Sequence, residues 1–380
     1  MKRKISIFLS FLMVCTLLEA FVRVSAAQIK DTNNNIEYLE ANGMQDKGIQ
    51  NIAYQDTMAA RINVGATALY KASLGTWTHA IQSFYINGSE IYICQNYDGI
   101  TFNGQTYTGN CVLLSRCVLS GNTFSIVDSM LLRNVGHGQT LDMYTYGGTT
   151  YFLISCGAAK ADNGDTIWST QIGRITYQAN TVLDNSSIKR LTYLNYSNKN
   201  NTSFGATRRV DAALSSDKTK LLIWKRSQSG SNQFSVYDFA AINQQLSASS
   251  GNTVSFQNNA TLKNACKFTI NNPTNMPTSV QGVELSNLAD GIHSIYVASG
   301  NEAKGQALTI TRFNTNGNFK KQVTIVDTGV WGIYNRGEYS NALAEIEGVK
   351  IAGESLQFVL RDTDNKNRQV IAYIDKSLLK

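Results

Sequence analysis

Five places along this 380-residue chain carry the same short pattern: a polar residue, a small residue and an apolar residue, then a turn and an apolar run. They are Gln82-Ser83-Phe84, Gln139-Thr140-Leu141, Asp211-Ala212-Ala213, Gln281-Gly282-Val283 and Glu347-Gly348-Val349, spaced 57, 72, 70 and 66 residues apart. Amides and carboxylates brought together by a repeat can hold a hydroxyl-rich ligand such as a sugar. The same groups can also serve only structure, lining a wet channel or bonding neighbouring backbone. Two acids about 5–10 Å apart could hydrolyse a glycosidic bond, and Asp211 and Glu347 form that pair. Asp142 and Glu345 lie close by but off the repeat position. His79 and His137 each stand just before a ring glutamine, as a pH-sensitive pair, ligand contacts or partners of loop carbonyls. A metal centre would need more ligands than these, and His293 is the one remaining imidazole. No metal and no cofactor are expected.

The spacing indicates what must position these groups. Repeats of this length built from short strands predict an all-β fold, and five of them predict a five-bladed β-propeller. The first strand of each blade would lie against one axis, so the five polar residues would meet there. In the first repeat the strands read as 80–86, 90–96, 112–119 and 124–132, with hairpin turns at Asn87-Gly88 and Gly121-Asn122. Further strands are expected at 167–177, 233–239, 308–313, 322–327 and 369–374, and a helical turn at 240–246. The last repeat runs out at Lys380 one strand short. Residues 62–70 are expected to join the last blade and close the ring, which removes an exposed edge. The long polar connections 195–205, 225–232, 271–278 and 329–340 are where recognition would sit. Trp331, with Tyr334, is expected as an exposed aromatic for sugar, and Trp168 and Trp224 as core. Arg116, Arg174 and Arg312, in third strands, are expected to bond strands or blades together. Propeller hydrolases ordinarily spread three acids over separate blades, and glutamine holds the other three ring places here, so binding is favoured over catalysis.

The bulk numbers set the setting. Lys2, Arg3 and Lys4 precede a 14-residue apolar run, 5–18, and Val24-Ser25-Ala26 supplies small residues before Ala27. This reads as a signal peptide, 1–27, cleaved near Ala26 or Ala27 and sending the chain out of the cell. The run is too short for a span of about 20 residues, and nothing later is apolar enough to cross a bilayer. Residues 28–55 read as a flexible polar leader and 56–380 as a single propeller domain. Net charge is +7, falling to about +4 without the signal, and no basic block suggests nucleic acid. Six cysteines include Cys15 in the signal. The remaining five are odd in number, and Cys111 and Cys117 would lie about 20 Å apart on one strand, so no obligatory disulfide is expected.

In their order, residues 167–175, 190–195, 211–223, 234–243, 279–285 and 345–349 make the chain resemble the helveticin J family, the large heat-labile bacteriocins of lactobacilli. The likeness runs over roughly residues 75–375. It departs at Arg208-Arg209-Val210, where the family tends to carry a histidine, and keeps the family's acid at Asp211. The resemblance implies a secreted antibacterial protein acting on related bacteria, and it supplies no catalytic motif. The function expected is a monomeric bacteriocin that binds an envelope component (glycan, teichoic acid or lipid). A non-lethal surface lectin and a glycoside hydrolase using Asp211 and Glu347 are the alternatives.

Overall fold

The computed structural model describes residues 61–160, 167–287, 293–326, 330–334 and 342–380. The expected signal peptide and leader and most of loop 329–340 lie outside these residues. All described residues belong to one compact unit, Asp56–Lys380. No helix among them is long and apolar enough to cross a membrane.

Two short strands open the unit, β1 (Arg61–Val64) and β2 (Thr67–Ser73). Four-stranded antiparallel units follow. The first is β3 (Ile81–Asn87), β4 (Glu90–Phe102), β5 (Gln105–Ser120) and β6 (Thr123–Arg133). The second is β7 (Leu141–Tyr146), β8 (Thr149–Lys160), β9 (Ile167–Ile175) and, beyond a short β10 (Val182–Asp184), β11 (Lys189–Thr192). The third is β12 (Thr207–Leu214), β13 (Lys220–Ser227) and β14 (Asn232–Asp238). Helix α1 (Phe239–Ala248), β15 (Thr253–Ser255) and helix α2 (Ala260–Ala265) intervene before its last strand, β16 (Cys266–Asn271). The fourth is β17 (Val280–Leu285), β18 (Ser294–Ser299), β19 (Leu308–Asn314) and β20 (Phe319–Ile325). The fifth has β21 (Ala344–Ala352), β22 (Ser355–Asp362) and β23 (Gln369–Asp375), and β2 pairs antiparallel with β23 as its fourth strand.

Alternation explains how the units pack. Along β13, Leu221 and Ile223 enter one apolar cluster with the second unit, while Leu222 and Trp224 enter another with the fourth. Successive side chains of a strand point to opposite faces, so a strand apolar at every position is covered on both sides. Clusters of the same kind fill the spaces between units one and two, four and five, and five and one. Each fully buried Leu or Phe contributes about 1.5–3 kcal/mol.

Three details differ from expectation. Segment 62–70 is not one strand: a break at Gly65-Ala66 divides it, and β1 pairs parallel with β20 while β2 pairs with β23 and, parallel, with β6. The two strands thereby stitch the fourth, fifth and first units. Strands β4 and β5 also continue past Asn96 to a second turn at Asn103-Gly104, because Tyr97, Ile100 and Phe102 pack with Cys111, Leu113 and Leu131 in their own cluster. The turn near 240–246 is a full helix of ten residues.

Candidate functional site

The first strands β3, β7, β12, β17 and β21 lie side by side around one axis, and the small residue of each repeat is what lets them approach. A Cβ added to Gly282 would stand 2.8 Å from the backbone of Gly348. Elsewhere the small side chain is itself the link: Ser83 Oγ donates to the Gly138 carbonyl at 2.7 Å, and Thr140 Oγ1 accepts from Ala212 N–H at 2.9 Å. The pattern polar–small–apolar therefore means axis, neighbouring strand, core.

The five polar residues are all buried: Gln82, Gln139, Asp211, Gln281 and Glu347 are between 2% and 9% exposed. They fill the axis. Gln139 Nε2 donates to Gln281 Oε1 at 3.1 Å, Gln281 Nε2 to Glu345 Oε1 at 3.0 Å, and the Arg361 guanidinium to Glu345 Oε2 at 2.6 Å. Gln139 also bonds Glu347. Burial first, then the neighbouring Glu345, raises Glu347 well above the ordinary carboxyl range and favours its neutral form. Gln82 Oε1, Gln139 Oε1 and Glu347 Oε2 are buried here without a hydrogen-bond partner. Asp211 is clamped instead. Arg209 Nε and an Nη donate to one of its oxygens at 3.0 and 2.8 Å, the other Nη donates to the Val280 carbonyl at 2.6 Å, and Trp168 and Trp224 face the guanidinium at 4.1 and 5.1 Å. Burial penalises both charges, raising Asp211 and lowering Arg209. A guanidinium stays protonated in proteins, and its two donations to one Asp211 oxygen favour the carboxylate against that burial.

A second layer lies three residues further along each first strand: Tyr85, Asp142, Leu214, Glu284 and Lys350. In three of these strands bulges explain why both layers face inward, because a residue drops out of register at Gln82 and at Gln281, and two drop out after Glu347. Lys350 Nζ stands 3.0 Å from Asp142 and 3.4 Å from Glu284, while Lys218 Nζ is 3.5 Å from Asp142. Burial disfavours charge on Asp142, yet Lys350 and Lys218 outweigh it and hold the carboxyl below its usual range. For Glu284 burial wins, and its pKa is pushed up to about 7. These residues border a cavity of about 220 Å³ that all five units line. Asp142 was visible in the sequence only as a stray acid. Glu284 and Lys350 were missed, because a strict two-residue alternation turns the position three residues on away from the axis, and Lys218 was missed because it lies in the turn after β12.

The two histidines are joined through one residue. His79 Nδ1 lies 2.8 Å from the Asn96 carbonyl and His137 Nδ1 3.4 Å from Asn96 Nδ2. His79 stacks on Tyr97 at 4.0 Å, and His137 tilts against Trp168 at 4.7 Å. Desolvation lowers both imidazoles; at His137, Arg209 and Lys304 add to it and the pKa falls to about 3. Trp331 corrects an expectation: it is 7% exposed and packed in the core between the fourth and fifth units, so it offers no open face to a sugar. Trp168, expected in the core, is half-exposed like Trp77, and it covers Arg209. Arg116 pairs with Glu90 and Asp128, Arg174 with Asn243 and Ser247, and Arg312 with Ser294 and the Leu379 carbonyl. Cys94, Cys111, Cys117, Cys156 and Cys266 are all free and buried.

The family model of the bacteriocin helveticin-J matches residues 68–378. The chain belongs to the helveticin J family. A curated relative, bacteriocin helveticin-J of Lactobacillus helveticus, is 30% identical over 155 residues, which is 39% of this chain and 45% of that protein. The aligned stretch is thus under half the length of that helveticin. Among solved structures, an endo-arabinanase from Bacillus licheniformis aligns with a TM-score of 0.40 and 11% identity, covering 83% of this chain and 96% of that one. A mannose phosphorylase from Leishmania mexicana gives 0.42 and 10%, covering 86% and 93%. In this helveticin-family chain both axial layers fall inside the matched residues. Arg209 is the cation that neutralises Asp211.

Proposed function

We propose that this chain is a secreted, bacteriocin-like antibacterial protein that binds the cell envelope of related bacteria. On this reading the five four-stranded units are the blades of a five-bladed propeller that β2 closes. The protein works as a monomer after losing its signal peptide near Ala26 or Ala27, and its partner is a glycan, teichoic acid or lipid of the target surface. The observation that carries the reading is convergence: side chains from all five units meet at one axial cavity, in a chain that belongs to a bacteriocin family. Loops and cavities held by a rigid scaffold are where such proteins place recognition. The test is a spot assay of purified residues 28–380 on lawns of related bacteria, with co-sedimentation on whole cells. Clearing with retention is the expected result. Retention without clearing would favour a surface lectin, and neither would end the reading.

A hydrolase is the second reading, and one observation favours it: Glu347 is a buried carboxyl held in its acid form, as a general acid must be. Against it, the partner Asp211 is committed to Arg209 and 2% exposed. Reducing sugar released from cell walls, and lost in Asp211→Asn or Glu347→Gln, would establish hydrolysis; killing with no sugar released in either variant would end it.

A further inference from the structure

The turn between β12 and β13 places a lysine where the backbone does not favour one. Lys218 has φ +56°, in the left-handed region that glycine and asparagine adopt at least cost. The turn does not need its side chain. Asp217 Oδ1 accepts from Ser215 Oγ at 2.6 Å, Thr219 N–H at 3.1 Å and Thr219 Oγ1 at 2.9 Å, and Asp217 N–H donates to Asn287 Oδ1 at 2.8 Å. Asp142 keeps two nearer partners without it, since Lys350 at 3.0 Å and the Leu214 N–H at 2.9 Å also serve that carboxylate, and Lys218 is the most distant of the three at 3.5 Å. A strained position occupied by a side chain that local structure can spare points to function.

Its place in the molecule suggests which function. Lys218 borders the axial cavity of about 220 Å³ and also a neighbouring groove of about 720 Å³ along the start of α1. Its side chain is 27% exposed, and the ammonium lies 5.0 Å from the centre of the Tyr85 ring. The groove is lined by Tyr146, Lys220, Asp238, Asn243 and Gln244 as well as Lys218. The lining carries two lysines, Lys218 and Lys220, against the one carboxylate Asp238, which Lys220 at 3.1 Å shares with Lys267 from outside the groove.

We propose that the axial cavity and this groove form one track for a linear, hydroxyl-rich polymer with phosphodiester links, and that Lys218 at their junction binds its phosphates. The inference rests on the envelope-binding reading and narrows it to one ligand chemistry. The phosphate takes the ammonium from its weak contact with Asp142, which stays paired to Lys350. Amides and the Tyr146 hydroxyl are matched to the polyol between phosphates.

The test uses residues 28–380 with purified lipoteichoic acid, purified wall teichoic acid and peptidoglycan stripped of both, which separates the two sources of polyol phosphate from neutral glycan. Wild type is expected to bind one or both polymers, more weakly as salt rises. Lys218→Gly and Lys218→Asn suit the left-handed turn, so their thermal midpoints should stay within about 2 °C of wild type while affinity falls about tenfold or more, the loss of one charge-assisted hydrogen bond. Lys218→Arg should restore most of the affinity. Unchanged polymer binding in both neutral variants, or wild type held only by stripped peptidoglycan, overturns the proposal and leaves the envelope reading standing. Wild type that sticks neither to these fractions nor to whole cells ends both.

Discussion

Glu347 is buried and His137 half-buried; desolvation drives both toward their neutral forms, and they pull stability in opposite directions with pH. Glu347 holds its proton in the folded chain, whereas an unfolded glutamate releases it near pH 4.3. The folded state then binds more protons, so this group lowers stability as pH rises above that value. Glu347→Gln keeps the shape and removes the effect. Its thermal midpoint should exceed that of wild type by about 2 °C or more at pH 7 and match it near pH 4. A lower midpoint at pH 7 would mean that the carboxylate is charged and paired. His137 works the other way. Its folded pKa falls to about 3 against about 6.5 unfolded, so stability drops as pH falls through that window. His137→Gln should flatten the acid limb of a melt series between pH 3 and 6.5, and an unaltered limb would count against a neutral buried imidazole. The ring residues themselves were legible because each carries its repeat motif. Their bonding across the axis was not, since Gln139 meets Gln281 over 142 residues of sequence.

At the scale of the element, the first strands are set by how close their backbones run. Gly282→Ala would push a methyl group to 2.8 Å from the Gly348 backbone, and nothing flexible there can give way. Gly348→Ala meets nothing nearer than 3.6 Å and incurs mainly the left-handed strain of φ +55°, about 1–2 kcal/mol. Gly282→Ala should therefore lower the thermal midpoint clearly more than Gly348→Ala. The reverse order in a melting experiment would mean that β17 and β21 do not touch there. The strand pattern was readable where alternation was clean and a Gly or Asn marked the turn, as in β3 to β6. It failed where a bulge changed the phase, which hid Glu284 and Lys350. It failed again at Gly65, where one apolar run serves two sheets.

For the whole molecule, β1 and β2 connect the fourth, fifth and first units, so the two ends of the described chain meet in one sheet. Deleting residues 60–72 removes those contacts and opens edges on three units at once. The deletion variant should lose its cooperative melt, and a sharp transition near the wild-type midpoint would sink the idea that these strands hold the units together. That the N-terminal segment completes the last unit could be reasoned from a chain that runs out one strand early. Its parallel pairing with β6 and β20 had no local signal, because parallel partners carry no turn between them. The same wrapping has a chemical side. Burial raises the thiols of Cys94 and Cys117 to about 12, so they stay protonated and slow to react while the unit is intact. Once heat opens it, the five sulfhydryls of the described unit come free together, and in a chain cut near Ala26 or Ala27, as proposed, an odd one is left to seek another molecule, so melting in air should be less reversible than melting under a reductant.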